Sequence, residues 1–248
     1  KPHGTHMMYH LSQYGGTSVL IKYLIENGIV NGDVKTITGK TLSGNIEHIN
    51  TMLTLNHDII YPLEAPFKTS SHINILKGNL APSGAITKIT SEKTRFQGRA
   101  KVFETEAEML ESLGKGEITK DHFVILRYQG ETTGCPEMLK PTSALAGYFG
   151  AGETPPLATD GRFSGGSHGI LVCHLEDAYR PGAITAIIKD DDPIVIDLET
   201  QSINLEVSDT VLSDRLIAHI PREIKLEGFL KIYSESVGTI NSGFNGLF

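Results

Sequence analysis

The sequence predicts a mixed α/β protein, in which a helical N-terminal segment precedes a closed or nearly closed β-barrel. Three observations lead there. Apolar residues at helical spacing mark residues 1–56, as in Val19, Leu20, Tyr23 and Leu24. From residue 77 onward the texture changes to short apolar and β-branched runs separated by turn residues, with few helix signals between them. Many short strands with few helices suit a barrel, because closure removes the edges that such strands would expose. Between the two regions, residues 57–76 carry Pro62, Pro66 and polar residues without periodicity, the pattern of a linker.

Taken in order, the first helix ends at Gly28, a residue suited to a left-handed C-terminal cap. Val34 to Thr38 reads as a short strand, and Ser43 as the cap of a helix carrying Ile46, Ile49 and Leu53. His3, His6 and His10 share a helical spacing, and they read as a surface cluster rather than a metal site. Thr38-Gly39-Lys40-Thr41 imitates the end of a phosphate-binding loop, but Val34 stands where that motif needs its first glycine. Strands are predicted over Ala85–Thr90, Ala100–Phe103, Phe123–Arg127, Gly169–Cys173, Ile184–Ile188, Ile194–Leu198 and Ile203–Val207. Thr105-Glu106-Ala107-Glu108 is a capping box opening a helix through Met109, Leu110 and Leu113. Ser208 caps another, with Val211, Leu212 and Leu216. Asp190-Asp191-Asp192-Pro193 reads as a hairpin turn in preference to a divalent-metal site, since Asp and Pro are turn formers.

The formal charge of −7 and the lack of a Lys/Arg cluster argue against nucleic acid as the main partner. No apolar run approaches the length of a membrane span, so no membrane partner is expected. Cys135 and Cys173 are too few for a disulfide framework or a four-cysteine metal site, and they read as reduced intracellular packing residues. The chain opens on Lys1-Pro2-His3 without an initiating methionine, as a piece of a longer protein would.

The stretch with most chemical content is Thr159-Asp160-Gly161-Arg162-Phe163-Ser164-Gly165-Gly166-Ser167-His168-Gly169, between two apolar runs. Its glycines permit positive φ and a close approach to a ligand, and successive N–H groups can form an anion-binding nest. Two readings stand side by side: a ligand-binding loop centred on Ser164, or a glycine-rich hairpin with a solvated serine. Glu137, in Gly134-Cys135-Pro136-Glu137-Met138, lies in a loop and reads either as a solvated carboxylate or as a metal ligand. Arg162 could pair with Asp160 or meet a substrate, and His168 could be an exposed loop residue or a helper.

Thr159 to Gly169, together with Pro136-Glu137-Met138-Leu139-Lys140-Pro141-Thr142-Ser143, resembles the dihydroxy-acid dehydratase branch of the family shared with sugar-acid and phosphogluconate dehydratases. Gly78-Asn79-Leu80-Ala81-Pro82-Ser83-Gly84, Thr38-Gly39-Lys40-Thr41 and Val207-Ser208-Asp209 are similar stretches. The resemblance runs over nearly the whole chain but only over the C-terminal part of the family's longer chains. It implies a C-terminal barrel flanked by helices, like the swivelling domain of aconitase. It divides the sequence into the end of an N-terminal domain (1–60), a linker (61–76) and the barrel domain (77–248).

What the resemblance implies for chemistry is specific. Ser164 matches the family's proton-abstracting serine, and Glu137 matches a glutamate that coordinates a catalytic Mg²⁺. Gly165, Gly166, Arg162 and His168 are implied substrate contacts. The family's iron–sulfur cluster (2Fe-2S) takes the leaving hydroxyl, and its ligands lie in an N-terminal domain missing here, so neither cysteine of this chain is a cluster ligand. The expected reaction is the dehydration of a 2,3-dihydroxy-3-methylbutanoate-type acid to a 2-keto acid in valine and isoleucine biosynthesis. The expected partners are that small dihydroxy acid, the missing N-terminal domain and a second copy in a homodimer. A cytoplasmic location is expected, or a mitochondrial or plastid one in a eukaryote. Alone, these 248 residues are expected to be inactive. A sugar-acid (aldonate) dehydratase and a non-catalytic barrel module are the alternatives.

Overall fold

A computed structural model describes residues 5–50, 58–67, 69, 71–89, 94–150, 152–164, 167 and 169–246. The chain divides into two compact units, Lys1–Ser70 and Ser71–Phe248.

The first unit contains α1 (Met8–Gln13), α2 (Gly16–Glu26) and α3 (Leu42–Asn45). α2 stops where the sequence says: Gly28 takes φ 71° and its N–H donates to Ile25 O at 2.9 Å. The strand expected over Val34–Thr38 is absent, leaving a single bridge between Lys35 and Thr41. Its polar side chains bond locally instead, Thr36 to Thr38 and Thr38 to Asn45, which competes with ladder formation. α3 is one short turn capped by Thr41, whose hydroxyl accepts from Gly44 N at 3.0 Å, and not a longer helix capped by Ser43. The His6 and His10 rings meet edge to face, with centroids 5.6 Å apart. Leu53 and His3 lie outside the described residues.

The second unit is a closed eight-stranded barrel in the order β1-β2-β6-β5-β4-β3-β7-β8. The strands are β1 (Ile73–Gly78), β2 (Ala81–Ile89), β3 (Arg95–Phe103), β4 (His122–Leu126), β5 (Leu157–Thr159), β6 (Ile170–Cys173), β7 (Pro193–Asp197) and β8 (Ser202–Leu205). β3, β4, β5 and β6 run parallel as neighbours. α4 (Glu106–Gly114) and α5 (Leu139–Phe149) make the first two crossovers. The wall of the barrel under these helices is apolar on both faces. Phe123 and Ile125 belong to the interior cluster, while Val124 and Leu126 join Met109, Leu113 and Leu145 of the helices in a second cluster. That is why residues 123–126 form a continuous apolar run rather than an alternating one.

Both sequence-read caps form. Thr105 Oγ1 accepts from Glu108 N, and Glu108 returns a bond to Thr105 N at 3.1 Å. Ser208 Oγ accepts from Val211 N at 3.3 Å and opens α6 (Asp209–Ala218). Ile184–Ile187 is a 3₁₀ turn and not a strand, and the nearby carbonyls of Ala186 and Ile188 accept from Arg127 at 2.7 and 3.1 Å in place of a ladder partner. The aspartate run is a turn, but Asp192 is buried in it. Its carboxylate forks onto Arg215 of α6, with Nη2 to Oδ1 at 2.8 Å, and accepts from Lys189 N at 2.8 Å. β1 starts inside the stretch read as a linker, with Leu76 buried between exposed neighbours. α7 (Gly228–Ser236) was not expected either.

Candidate active site at the rim of the barrel

β4, β5 and β6 end at one rim, because they are parallel neighbours, and each ends in a loop: residues 127–138, 160–169 and 174–183. Carboxyl ends of parallel strands are where α/β proteins place ligands. The hairpin reading of the glycine-rich stretch fails here. Its flanking strands are parallel, so the segment must carry the chain back along the barrel wall.

The first two loops are joined through their backbones. Met138 N donates to Arg162 O at 2.9 Å and Arg162 N donates to Pro136 O at 3.2 Å, so that Glu137 and Arg162 form a parallel bridge. The residues beside them act as plugs. Met138 is 1% exposed in the outer apolar cluster, and Phe163 packs against the same cluster. Glu137 and Arg162 are exposed, and Ser164 is half-buried. Ser164 lies two residues from the bridge, so its Cα is within about 12 Å of that of Glu137. The backbone of Ser164 therefore lies beside that of Glu137 at this rim. Gly165, Gly166 and His168 lie outside the described residues.

Asp160 organises the rim. Fully buried, its carboxylate accepts from Tyr128 N at 3.0 Å, Gln129 N at 2.8 Å and Ala178 N at 3.0 Å, one group of donors from each flanking loop. Burial pushes this carboxyl up to about 7, against the pull of those three N–H groups. The pairing of Arg162 with Asp160 considered from sequence does not occur, since the backbone has already claimed the carboxylate. A second buried carboxylate, Asp177, accepts from Thr132 N at 2.7 Å and Tyr179 N at 2.9 Å. The third loop is stitched to the second by His174 N on Gly161 O at 3.0 Å and Leu175 N on Thr159 O at 3.2 Å.

Tyr128, Cys135 and His174 hold φ of 66°, 48° and 60° in these loops. Non-glycine residues there cost roughly 1–2 kcal/mol each, strain of the kind that clusters at functional sites. Gly161 has no room for a side chain: a Cβ would lie 3.0 Å from Pro136 O and 3.1 Å from Gln129 O.

The family model described as dihydroxy-acid/6-phosphogluconate dehydratase C-terminal matches residues 58–244. This chain belongs to that family. It is 43% identical over 251 residues to the mitochondrial dihydroxy-acid dehydratase of Saccharomyces cerevisiae, covering 98% of this chain and 42% of the relative. With the dihydroxy-acid dehydratase of Francisella tularensis subsp. novicida the figures are 39% over 247 residues, 98% and 44%. A mitochondrial dihydroxy-acid dehydratase of Aspergillus fumigatus is 43% identical over 220 residues, covering 87% of this chain and 36% of its own. The chain thus spans less than half the length of these curated relatives.

At this rim, the donor chemistry distinguishes the expected inorganic groups. Glu137 offers an exposed carboxylate, a hard oxygen donor suited to a divalent cation. Among the described residues no group of three or more His, Cys, Asp or Glu could hold a metal ion. The cysteines do not fit a cluster. Both are buried, and burial pushes each thiol up to about 11, away from the thiolate that iron requires. Among the described residues no helix is long and apolar enough to cross a membrane.

Sequence reasoning weighed Asp160 only as a partner for Arg162, and it passed over Glu131, His174 and Asp177. Glu131 is 2% exposed and bonded to Arg180 Nε at 2.8 Å. Burial and the charge of Arg162 hold the His174 imidazole below its usual range. An aspartate directly after a buried strand, followed by glycine, was the available signal for Asp160. Nothing local marks the burial of the other three; Glu131 pairs with Arg180 and Asp177 with Thr132 across distant parts of the chain.

Proposed function

We propose that this chain supplies part of the active site of a dihydroxy-acid dehydratase, with Ser164 as the base and Glu137 as one ligand of a Mg²⁺ ion. The observation that supports it is the backbone bridge between Glu137 and Arg162, which fixes the loop bearing the carboxylate against the loop bearing the hydroxyl. In the reaction Ser164 Oγ, as its alkoxide, takes the proton from C2 of the dihydroxy acid. The C–H electrons form the C2=C3 bond as the C3 hydroxyl departs. That hydroxyl takes up the proton held by Ser164 and leaves as water, and the enol moves its hydroxyl proton to C3 to become the 2-keto acid. The exposed guanidinium of Arg162, held one bridge position from Glu137, is suited to the substrate carboxylate. Met138 and Phe163, set in one apolar cluster, keep the two loops from sliding apart. A divalent cation on Glu137 would add Lewis acidity at the substrate carboxylate and the enolate-like charge. Iron–sulfur ligation is assigned to a segment outside these 248 residues, so the isolated chain is inactive on this reading.

The test is Ser164→Ala in the complete enzyme, meaning this chain joined to the rest of a dehydratase. Loss of a general base lowers kcat by about 10²–10⁴-fold, and an unchanged kcat would overturn the assignment. Turnover of 2,3-dihydroxy-3-methylbutanoate is expected; turnover of gluconate or arabinonate in its place would select the sugar-acid reading.

A further inference from the structure

We propose that Lys88 is a positioning residue for the loop that carries Ser164. The inference rests on the assignment of Ser164 as base and adds to it the residue that holds the base's loop in place. In the barrel β2 lies antiparallel to β6, and the register sets Lys88 opposite Leu171. From there Lys88 Nζ donates to Ser167 O at 2.8 Å. Ser167 N in turn donates to Ser164 O at 3.3 Å. Two hydrogen bonds therefore connect the ammonium to the backbone of the serine. The adjacent strand residue works on the same limb: the fully buried Thr87 donates its hydroxyl to Leu171 O at 2.9 Å.

The rest of Ser167 sharpens the point. Ser167 is 6% exposed, and its hydroxyl has no hydrogen-bond partner among the described residues. This part of the loop is gripped through its main chain by a charged donor on a neighbouring strand. Glycine at 165, 166 and 169 gives this stretch a wide choice of conformations in the unfolded chain, which makes an external contact at Ser167 matter for Ser164. Charge-assisted bonds are roughly twice as strong as neutral ones. Partial burial also strips water from the ammonium and lowers its proton affinity. The same position brings a positive charge to a loop in which an alkoxide must form.

The experiment compares Lys88→Met, Lys88→Arg and Ser164→Ala in the complete dehydratase. Lys88→Met keeps the aliphatic stem and deletes the donor. Expected are a fall in kcat of about tenfold or more with KM changed less than about twofold, and recovery of most of kcat in Lys88→Arg. Amide exchange at Ser167 speeds up in Lys88→Met, while exchange in β4 does not. Wild-type kcat in Lys88→Met, failure of the arginine to restore it, or unfolding of Lys88→Met would each overturn the positioning role. Ser164→Ala separates the two levels. If it remains active, the base assignment falls; if it is inactive while Lys88→Met turns over normally, only the role of Lys88 falls.

Discussion

At the residue scale, Asp160 ties three loops together without a cation. Its carboxylate accepts three backbone N–H groups from Tyr128, Gln129 and Ala178. In Asp160→Asn one amide oxygen can still accept from Tyr128 and Ala178, but the new NH₂ faces the Gln129 N–H. Leaving that donor unsatisfied costs about 1–3 kcal/mol, to be read from denaturant midpoints at about pH 5. The pH dependence has a definite sign. A carboxyl raised to about 7 from 3.8 stabilises the fold below its unfolded value, and that contribution is lost as pH rises through its folded value. The stability gap between the parent and Asp160→Asn therefore narrows between about pH 4 and 7; a gap that widens would show the carboxylate to be the favoured form. Ser164, between Phe163 and Gly165, and Glu137, after Pro136, were singled out by the motifs that resemble the family's. Asp160, Asp177 and Lys88 were not, since what distinguishes each is a partner far away along the chain.

At the element scale, the site depends on the loops after β4 and β5 passing close enough to share backbone hydrogen bonds. Gly161 is a close point, with two carbonyl oxygens 3.0 and 3.1 Å from where its Cβ would be. Gly161→Ala is expected to push the strap of residues 136–138 outward and break the bridge between Glu137 and Arg162. The measurable outcome is a loss of stability of about 1–3 kcal/mol, with faster amide exchange at Met138 and Arg162. Unchanged exchange at both would mean that the bridge does not depend on that clearance. Elements governed by neighbours in sequence were read correctly, as at Thr105 and Ser208, where cap and helix lie within one turn. Ile184–Ile188 was misread, because a buried β-branched run looks alike whether it joins a ladder or folds into a 3₁₀ turn whose neighbouring carbonyls accept from Arg127. β1 went unseen because Asn74 and Lys77 mask the alternation around Leu76.

At the scale of the molecule, the barrel closes on itself and carries its own interior and outer clusters. Residues 71–248 are therefore expected to fold alone and to melt in one cooperative transition. Broad, non-cooperative melting of that piece would show that the barrel needs the preceding unit. The sequence by itself determined that a barrel follows a helical segment, which helices begin at Thr105 and Ser208, and which two loops hold the serine and the glutamate. Periodicity, caps and motifs are local, so they survive in a string of letters. Only the tertiary structure decided that β5 and β6 are parallel, that Glu137 and Arg162 bridge, and that Asp160 and Lys88 fasten the loops. Strand direction and the partner of a buried charge depend on contacts between residues distant in the chain, and no local pattern encodes them.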